Sequence, residues 1–331
     1  MKHITILVPR GAILGSIEGP RLVFSEVNAL LGRLGRPPLF HLELVGLAHE
    51  TPVCGGLYAV YTPLLLADVA RTDLVIIPAV DGDLTLALER NAEFSPWILG
   101  QHARGAEVAS LCVGAFLLAA TGLLNGRQCT THWAAAADFR RMFPAVELVE
   151  DRLVTDAHGI YSSGGAFSYL NLVLYLVEKF AGREMAVTCA KVFQIDIERV
   201  SQSAFIVFNG QKEHGDEPIK KAQGYIEDNY QEKITVDQLA EMLALGRRNL
   251  ERRFKKATAN SVVEYIQRVK IEAAKNSLES SRENVSEVMY QVGYTDPKAF
   301  RSTFKRLTGL SPKQYRDKYQ REAVVGGILG R

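Results

Sequence analysis

Cysteine and tryptophan are scarce in this 331-residue chain, with four of the first and two of the second. Cys54, Cys112, Cys129 and Cys189 stand far apart with no CxxC spacing. That fits reduced thiols better than a disulfide framework or a cysteine zinc site, and no metal site is expected. Long apolar runs are missing too. The longest, VASLCVGAFLLAATG at 108–122, is broken by Ser110, Cys112 and Thr121 and bracketed by Glu107 and Arg127, so it reads as buried strand plus helix and no membrane partner is expected. The opening residues, MKHITILVPRG, form a short strand pattern ending at Pro9 without the small-residue cleavage site of a signal peptide, which predicts a cytoplasmic protein. A composition 47% hydrophobic and 23% charged excludes fibrous and disordered classes and allows two domains with separate cores.

The small net charge of +2 conceals an asymmetry. Residues 1–217 hold 17 Lys+Arg against 23 Asp+Glu, a net of −6, whereas residues 218–331 hold 22 against 14, a net of +8. A basic C-terminal third favours a nucleic-acid or membrane partner there, against the plainer reading of solvated basic helical faces. The chain also changes texture at this point. Apolar β-rich runs at Ile4–Val8, Phe40–Val45, Leu74–Pro78 and Val108–Leu111 alternate with helix-period segments at 20–35 and 95–103, which predicts an α/β domain with a mostly parallel sheet. SQSAFIVFNGQKEHGDE then interrupts the pattern, and everything after Pro218 reads as helix. The expected organisation is an α/β domain over 1–200, a linker at 201–217, an all-α domain over 218–322 and a tail at 323–331.

The helical part repeats itself. A shift of 50 residues places Leu250, Phe254, Lys255, Thr258, Ser261 and Tyr265 on Phe300, Phe304, Lys305, Thr308, Ser311 and Tyr315, and Val236, Leu239 and Leu243 fall on Val285, Val288 and Val292 after a one-residue adjustment. Each copy is a short helix, a tight turn and a second helix, the helix-turn-helix form. In RRNLERRFKK, Leu250 and Phe254 face the core while Arg247, Arg248, Glu251, Arg252 and Lys255 face out. In DPKAFRSTFKR, Ala299, Phe300 and Phe304 face in while Lys298, Arg301, Ser302 and Lys305 face out. Ser261–Ser280 between the copies amounts to roughly 30 Å of helix, close to the ~34 Å between successive major-groove faces of B-DNA. Double-stranded DNA is the expected partner; solvated basic faces on a helical interaction module are the plainer alternative.

Residues 234–316 resemble the DNA-binding domain of AraC/XylS-family regulators through LAEMLALGRRNLERRFKKAT, VVEYIQRVKIEAAKNSL and VSEVMYQVGYTDPKAFRSTFKRLTGLSPKQYR. The resemblance implies base-reading roles for Arg248, Glu251 and Arg252 in the first unit and for Lys298, Arg301 and Ser302 in the second. Ala259-Asn260 stands where the family usually has a glycine.

Cys112 sits between a strand and a helix, where the helix dipole and nearby backbone N–H groups favour a thiolate. Val113 follows it and offers no base. His132 in TTHW and Glu18, read as the end of the first βα loop, are the nearest candidates for a base and a carboxylate, and the Ser162-Ser163-Gly164-Gly165 turn has N–H groups suited to an anion. Equally, Cys112 suits a small core position and His132 a helix start. Residues 3–195 resemble the class I glutamine amidotransferase-like superfamily of the PfpI-like kind, through LVIIPAVDGD, VASLCVGAFLLAATGLLNGRQCTTHW and SSGGAFSYLNLVLYLVEKFAG. That implies a flavodoxin-like sheet. With the AraC-type tail, the pair resembles GlxA-type regulators, which implies a first domain that senses a small, commonly nitrogen-containing effector and forms a homodimer, with RNA polymerase as a further partner. The expected ligand pocket comprises Glu18, Cys112, Val113, His132, Ser163 and Gly164, with no catalytic residue and no cofactor. A Cys112-dependent amidase or protease and a Cys112 redox switch remain the alternatives.

Overall fold

The computed structural model describes residues 1–197, 199–212 and 214–320; the tail expected at 323–331 lies outside them. The chain divides into two compact units between Gln202 and Ser203.

The first unit is built on β1 (Lys2–Val8), β2 (Phe40–Gly46), β3 (Glu50–Val53), β4 (Tyr58–Tyr61), β5 (Leu64–Leu65), β6 (Leu74–Ile77), β7 (Glu107–Leu111), β8 (Gln128–Cys129), β9 (Glu147–Leu148), β10 (Val154–Asp156) and β11 (Ile160–Ser163). Seven of these form one sheet in the order β10-β11-β7-β6-β1-β2-β5, parallel throughout except for β10 against β11. This is the flavodoxin-like arrangement expected. β3 with β4 and β8 with β9 make two small separate pairs, which the apolar pattern did not reveal. The helices are α1 (Leu14–Arg33), α2 (Leu84–Arg90), α3 (Phe94–Ala103), α4 (Ala115–Ala120), α5 (Ala136–Met142), α6 (Tyr169–Ala181) and α7 (Arg183–Phe193). Two cores result, one on each face of the sheet. Ile4, Ile6 and Val8 join Phe24, Tyr161 and Leu172 on one face, while Leu7, Val75 and Ile77 join Phe116 and Phe139 on the other. Burial on both faces is why these strands read as continuous apolar runs.

α1 begins six residues before the expected Pro20, which lies inside the helix. Proline suits a helix's first turn because its missing N–H is unused there; here the preceding turn is helical as well.

The second unit comprises α8 (Glu217–Asp228), α9 (Val236–Met242), α10 (Arg247–Thr258), α11 (Val262–Ser280), α12 (Val285–Gln291), α13 (Pro297–Thr308) and α14 (Pro312–Tyr319). The residues expected to form a linker are shared between the units. Gln202 is buried in the first, whereas the Ile206 carbonyl accepts from Lys275 Nζ at 2.6 Å and the Phe208 ring meets Tyr265 edge-on at 5.1 Å in the second. Among the described residues, no helix is long and apolar enough to cross a membrane.

Candidate functional site

In the first unit, β7 ends in a backbone turn that few side chains tolerate. Cys112 has φ 54°, in the left-handed region where a non-glycine residue is strained. Gly114 completes the turn because a Cβ there would stand 2.4 Å from the Pro78 carbonyl oxygen and 2.7 Å from that of Ile77. The turn thus has the shape of a nucleophile elbow, but its chemistry differs from the expectation of a stabilised thiolate. Cys112 is buried, and burial pushes its thiol up to about 11 against a weaker opposing contribution from the Val113 backbone.

The other expected pocket residues are only partly brought together. Ser163 lies beside Leu111 in the parallel register of β11 and β7, one step from Cys112. Its hydroxyl is buried without a hydrogen-bond partner. Gly164 follows, donates its N–H to the Leu153 carbonyl at 2.9 Å and packs against the Gln202 side chain. Thr131 Oγ1 donates to the Cys112 carbonyl at 3.1 Å, tying the loop that carries His132 to the elbow. His132 caps a short 3-10 turn at Trp133–Ala135, where its Nδ1 accepts from the Ala134 N–H at 3.1 Å. Burial lowers its pKa, and its Nδ1 serves as this cap to Ala134 rather than bonding the Cys112 sulfur. Glu18 departs from its expected place. It lies within α1, because that helix starts before Pro20, and its two carboxylate oxygens are held by Arg21 Nε and Nη2, each at 2.6 Å. A cysteine–histidine–carboxylate chain is therefore not assembled from these residues.

Tyr169 was not anticipated. It opens α6, its hydroxyl donates to the Gly15 carbonyl, and burial pushes it up to about 12 with a further contribution from charge on Cys112. Its only sequence signal is its place just after the glycine turn. A separate cavity of about 220 Å³, lined by Leu153, Asn171, Leu174, Tyr175 and Arg183 among others, contains none of the six expected pocket residues.

In the second unit, α9–α10 and α12–α13 form two helix-turn-helix pairs. Leu250, Phe254 and Tyr265 are buried in one core, Phe300, Phe304 and Tyr315 in the next. The repeated aromatic contact is nearly the same in both: Phe254–Tyr265 at 5.3 Å and 82°, Phe304–Tyr315 at 5.4 Å and 81°. Arg247, Arg248, Glu251, Arg252 and Lys255 on α10, and Lys298, Arg301, Ser302 and Lys305 on α13, are all exposed. They are not equally free. Arg247 pairs with Asp237 at 3.0 Å and Glu251 at 3.3 Å, Arg252 bonds Asn249, and Lys255 donates to the Ala259 carbonyl. Ala299 is exposed rather than inward-facing, and Thr303 is buried in its stead, since a buried stripe through Phe300 and Phe304 runs i, i+3, i+4. Arg253 turns away from the basic face to grip Asp216 at 2.9 and 2.6 Å.

Both halves define recognisable classes: a DJ-1/PfpI-like α/β domain with an elbow cysteine, and a duplicated helix-turn-helix. Comparison bears this out. Residues 26–179 match the DJ-1/PfpI family, and residues 239–318 match a helix-turn-helix domain. The chain is 26% identical over 251 residues to the HTH-type transcriptional regulator GbdR of Pseudomonas aeruginosa, covering 72% of this chain and 66% of that protein. It is 23% identical over 224 residues to the HTH-type transcriptional regulator GlxA of Rhizobium meliloti, covering 64% of this chain and 65% of that one. The aligned part is thus just under two thirds of each relative's own length. The crystal structure of an AraC family transcriptional regulator from Pseudomonas putida shares the α/β fold, with a TM-score of 0.50 at 17% identity over 58% of this chain and all of that one. The two family matches fall in the order in which the structure places the elbow-bearing α/β unit and the duplicated helix-turn-helix.

Proposed function

We propose that the chain is a cytoplasmic, sequence-specific DNA-binding transcriptional regulator, controlled by a small nitrogen-containing molecule bound in its first unit and acting as a homodimer that can engage RNA polymerase. The observation that carries this reading is the duplicated helix-turn-helix with a basic exposed face on each second helix. Arg248, Glu251, Arg252, Lys298, Arg301 and Ser302 read base edges in this account, and Arg247, Lys255 and Lys305 meet phosphates. The effector contacts the elbow region around Cys112, Val113, Ser163 and Gly164, with His132 at its rim, and acts through a difference in affinity between two states of the protein. Glu18, clamped by Arg21, is assigned to the wall of α1 rather than to the ligand.

The chain is read as a regulator and not an enzyme. A thiol held near 11 with no base on it favours packing or ligand contact over nucleophilic attack. Selection from a random duplex pool tests the DNA reading. A defined motif should emerge, and Arg252→Ala and Arg301→Ala should each weaken binding to it by about 1–3 kcal/mol and relax selectivity. Unchanged affinity in both variants would remove α10 and α13 as reading helices, and a pool that yields no motif would defeat the regulator reading itself.

A further inference from the structure

At the amino end of the sheet, far in sequence from either helix-turn-helix, the parallel pairing of β1 with β2 sets His3 directly beside His41 and places Glu43 one pleat further along. Paired residues on neighbouring strands point to the same face, and a strand returns to that face every second residue. The three side chains therefore converge. The His3 and His41 rings lie 4.9 Å apart, tilted by 54°, and His41 Nε2 is 2.9 Å from Glu43 Oε1. One potential ligand atom from each residue lies within 4.8 Å of the other two.

We propose that His3, His41 and Glu43 form a binding site for a divalent transition-metal ion of zinc's class. Two imidazoles and one carboxylate are a donor set suited to borderline ions such as Zn²⁺ or Co²⁺, and they leave coordination positions open to water. At metal–ligand distances of about 2.0–2.1 Å, tetrahedral ligand atoms stand roughly 3.4 Å apart. Closing the cluster onto an ion therefore takes a rotamer adjustment of about an ångström, which side chains 43% exposed at His41 and 24% exposed at Glu43 can make.

Thr5 provides a second, independent mark. It is the register partner of Glu43 and lies two residues beyond His3 on the same face. It is fully buried, and its hydroxyl has no hydrogen-bond partner. A buried hydroxyl without a partner is costly, and this one leaves an unpaired polar group on the face of the sheet that carries the cluster. Such an ion clips β1 to β2, so it binds the folded sheet and not the unfolded chain.

The full chain, freed of any affinity tag and stripped with chelator, is titrated calorimetrically with Zn²⁺ alone, and separately with Co²⁺ followed by its visible spectrum. One equivalent should bind, and Co²⁺ should show bands of a nitrogen–oxygen site without the thiolate charge-transfer band that binding at Cys54 would produce. His3→Ala, which removes an exposed ring and leaves the core intact, and Glu43→Gln, which keeps the carboxylate's shape, should each weaken that equivalent by at least about tenfold. Equal affinity in wild type and both variants, a thiolate band, or no binding by the folded wild type overturns the proposal.

Discussion

Cys112 shows two effects of opposite sign competing on one atom. A helix start and its N–H groups stabilise an anion by about 0.3–1 kcal/mol in ordinary settings, less than one pKa unit. Burial works the other way, and the shift from 9 to about 11 corresponds to roughly 3 kcal/mol against the charged form. Burial wins, so on the order of one Cys112 in ten thousand is a thiolate at pH 7. Iodoacetamide at that pH should therefore label the exposed Cys54 at least tenfold faster than Cys112, as read by peptide mass spectrometry. Equal rates would revive the nucleophile and redox readings. The strained φ at Cys112 is retained because Gly114 lets the chain pass the Ile77 and Pro78 carbonyls. Strain of this kind is usual where a fold holds a ligand.

The helices of the second unit start where their side chains can bond their own first turns. Thr235, Ser261, Asn284 and Ser311 each form a reciprocal capping box, and Asp216 and Asp296 cap α8 and α13. Asp216 does more than cap. Its carboxylate also receives Arg253 from α10, so α10 is tied to the start of α8. Arg253 holds the Asp216 carboxyl below the usual carboxylate range. For a lowered carboxyl the sign is fixed: its contribution is fully present above the unfolded value of about 3.9, and is lost as pH falls through the folded value. Asparagine caps as well as aspartate, so urea unfolding of the full chain should show Asp216→Asn costing the second unit only the ion pair with Arg253, about 0.2–1 kcal/mol at pH 6, with the difference shrinking below pH 4. A difference that persists at pH 3 would mean the charge is irrelevant. The repeat also distributes its backbone strain unevenly. The turn of the second unit uses Gly293 at φ 75°, where a Cβ would meet the Gln231 carbonyl at 2.0 Å, whereas the first places Ala244 at φ 50°.

For the molecule as a whole, two compact units with separate cores allow separate unfolding transitions. An effector that binds only the folded first unit should raise the transition of that unit and leave the helical one in place. At a hundredfold excess over its dissociation constant the gain is about 2.7 kcal/mol, a shift of a few degrees for a domain of this size. Thermal scans of the full chain against amino acids, amines and quaternary ammonium compounds, with Cys112→Ala in parallel, measure this. A shift shared by both proteins makes the thiol dispensable to the sensor, and a panel with no shift counts against a small-molecule effector of this class.

Much of this was legible in the sequence, because periodicity and composition are local properties. Parallel strands buried on both faces must be largely apolar, as Leu74–Ile77 is throughout and Ile4–Val8 is apart from Thr5. A duplicated helix-turn-helix must repeat its core residues, and Leu250, Phe254 and Tyr265 recur as Phe300, Phe304 and Tyr315. Which groups meet, and in what medium, depended on packing between residues distant in the chain. Burial rather than the local turn set the state of Cys112, and the cross-strand register of β1 and β2 brought His3 to His41. Desolvation and register are sums over neighbours that only the folded chain brings into contact.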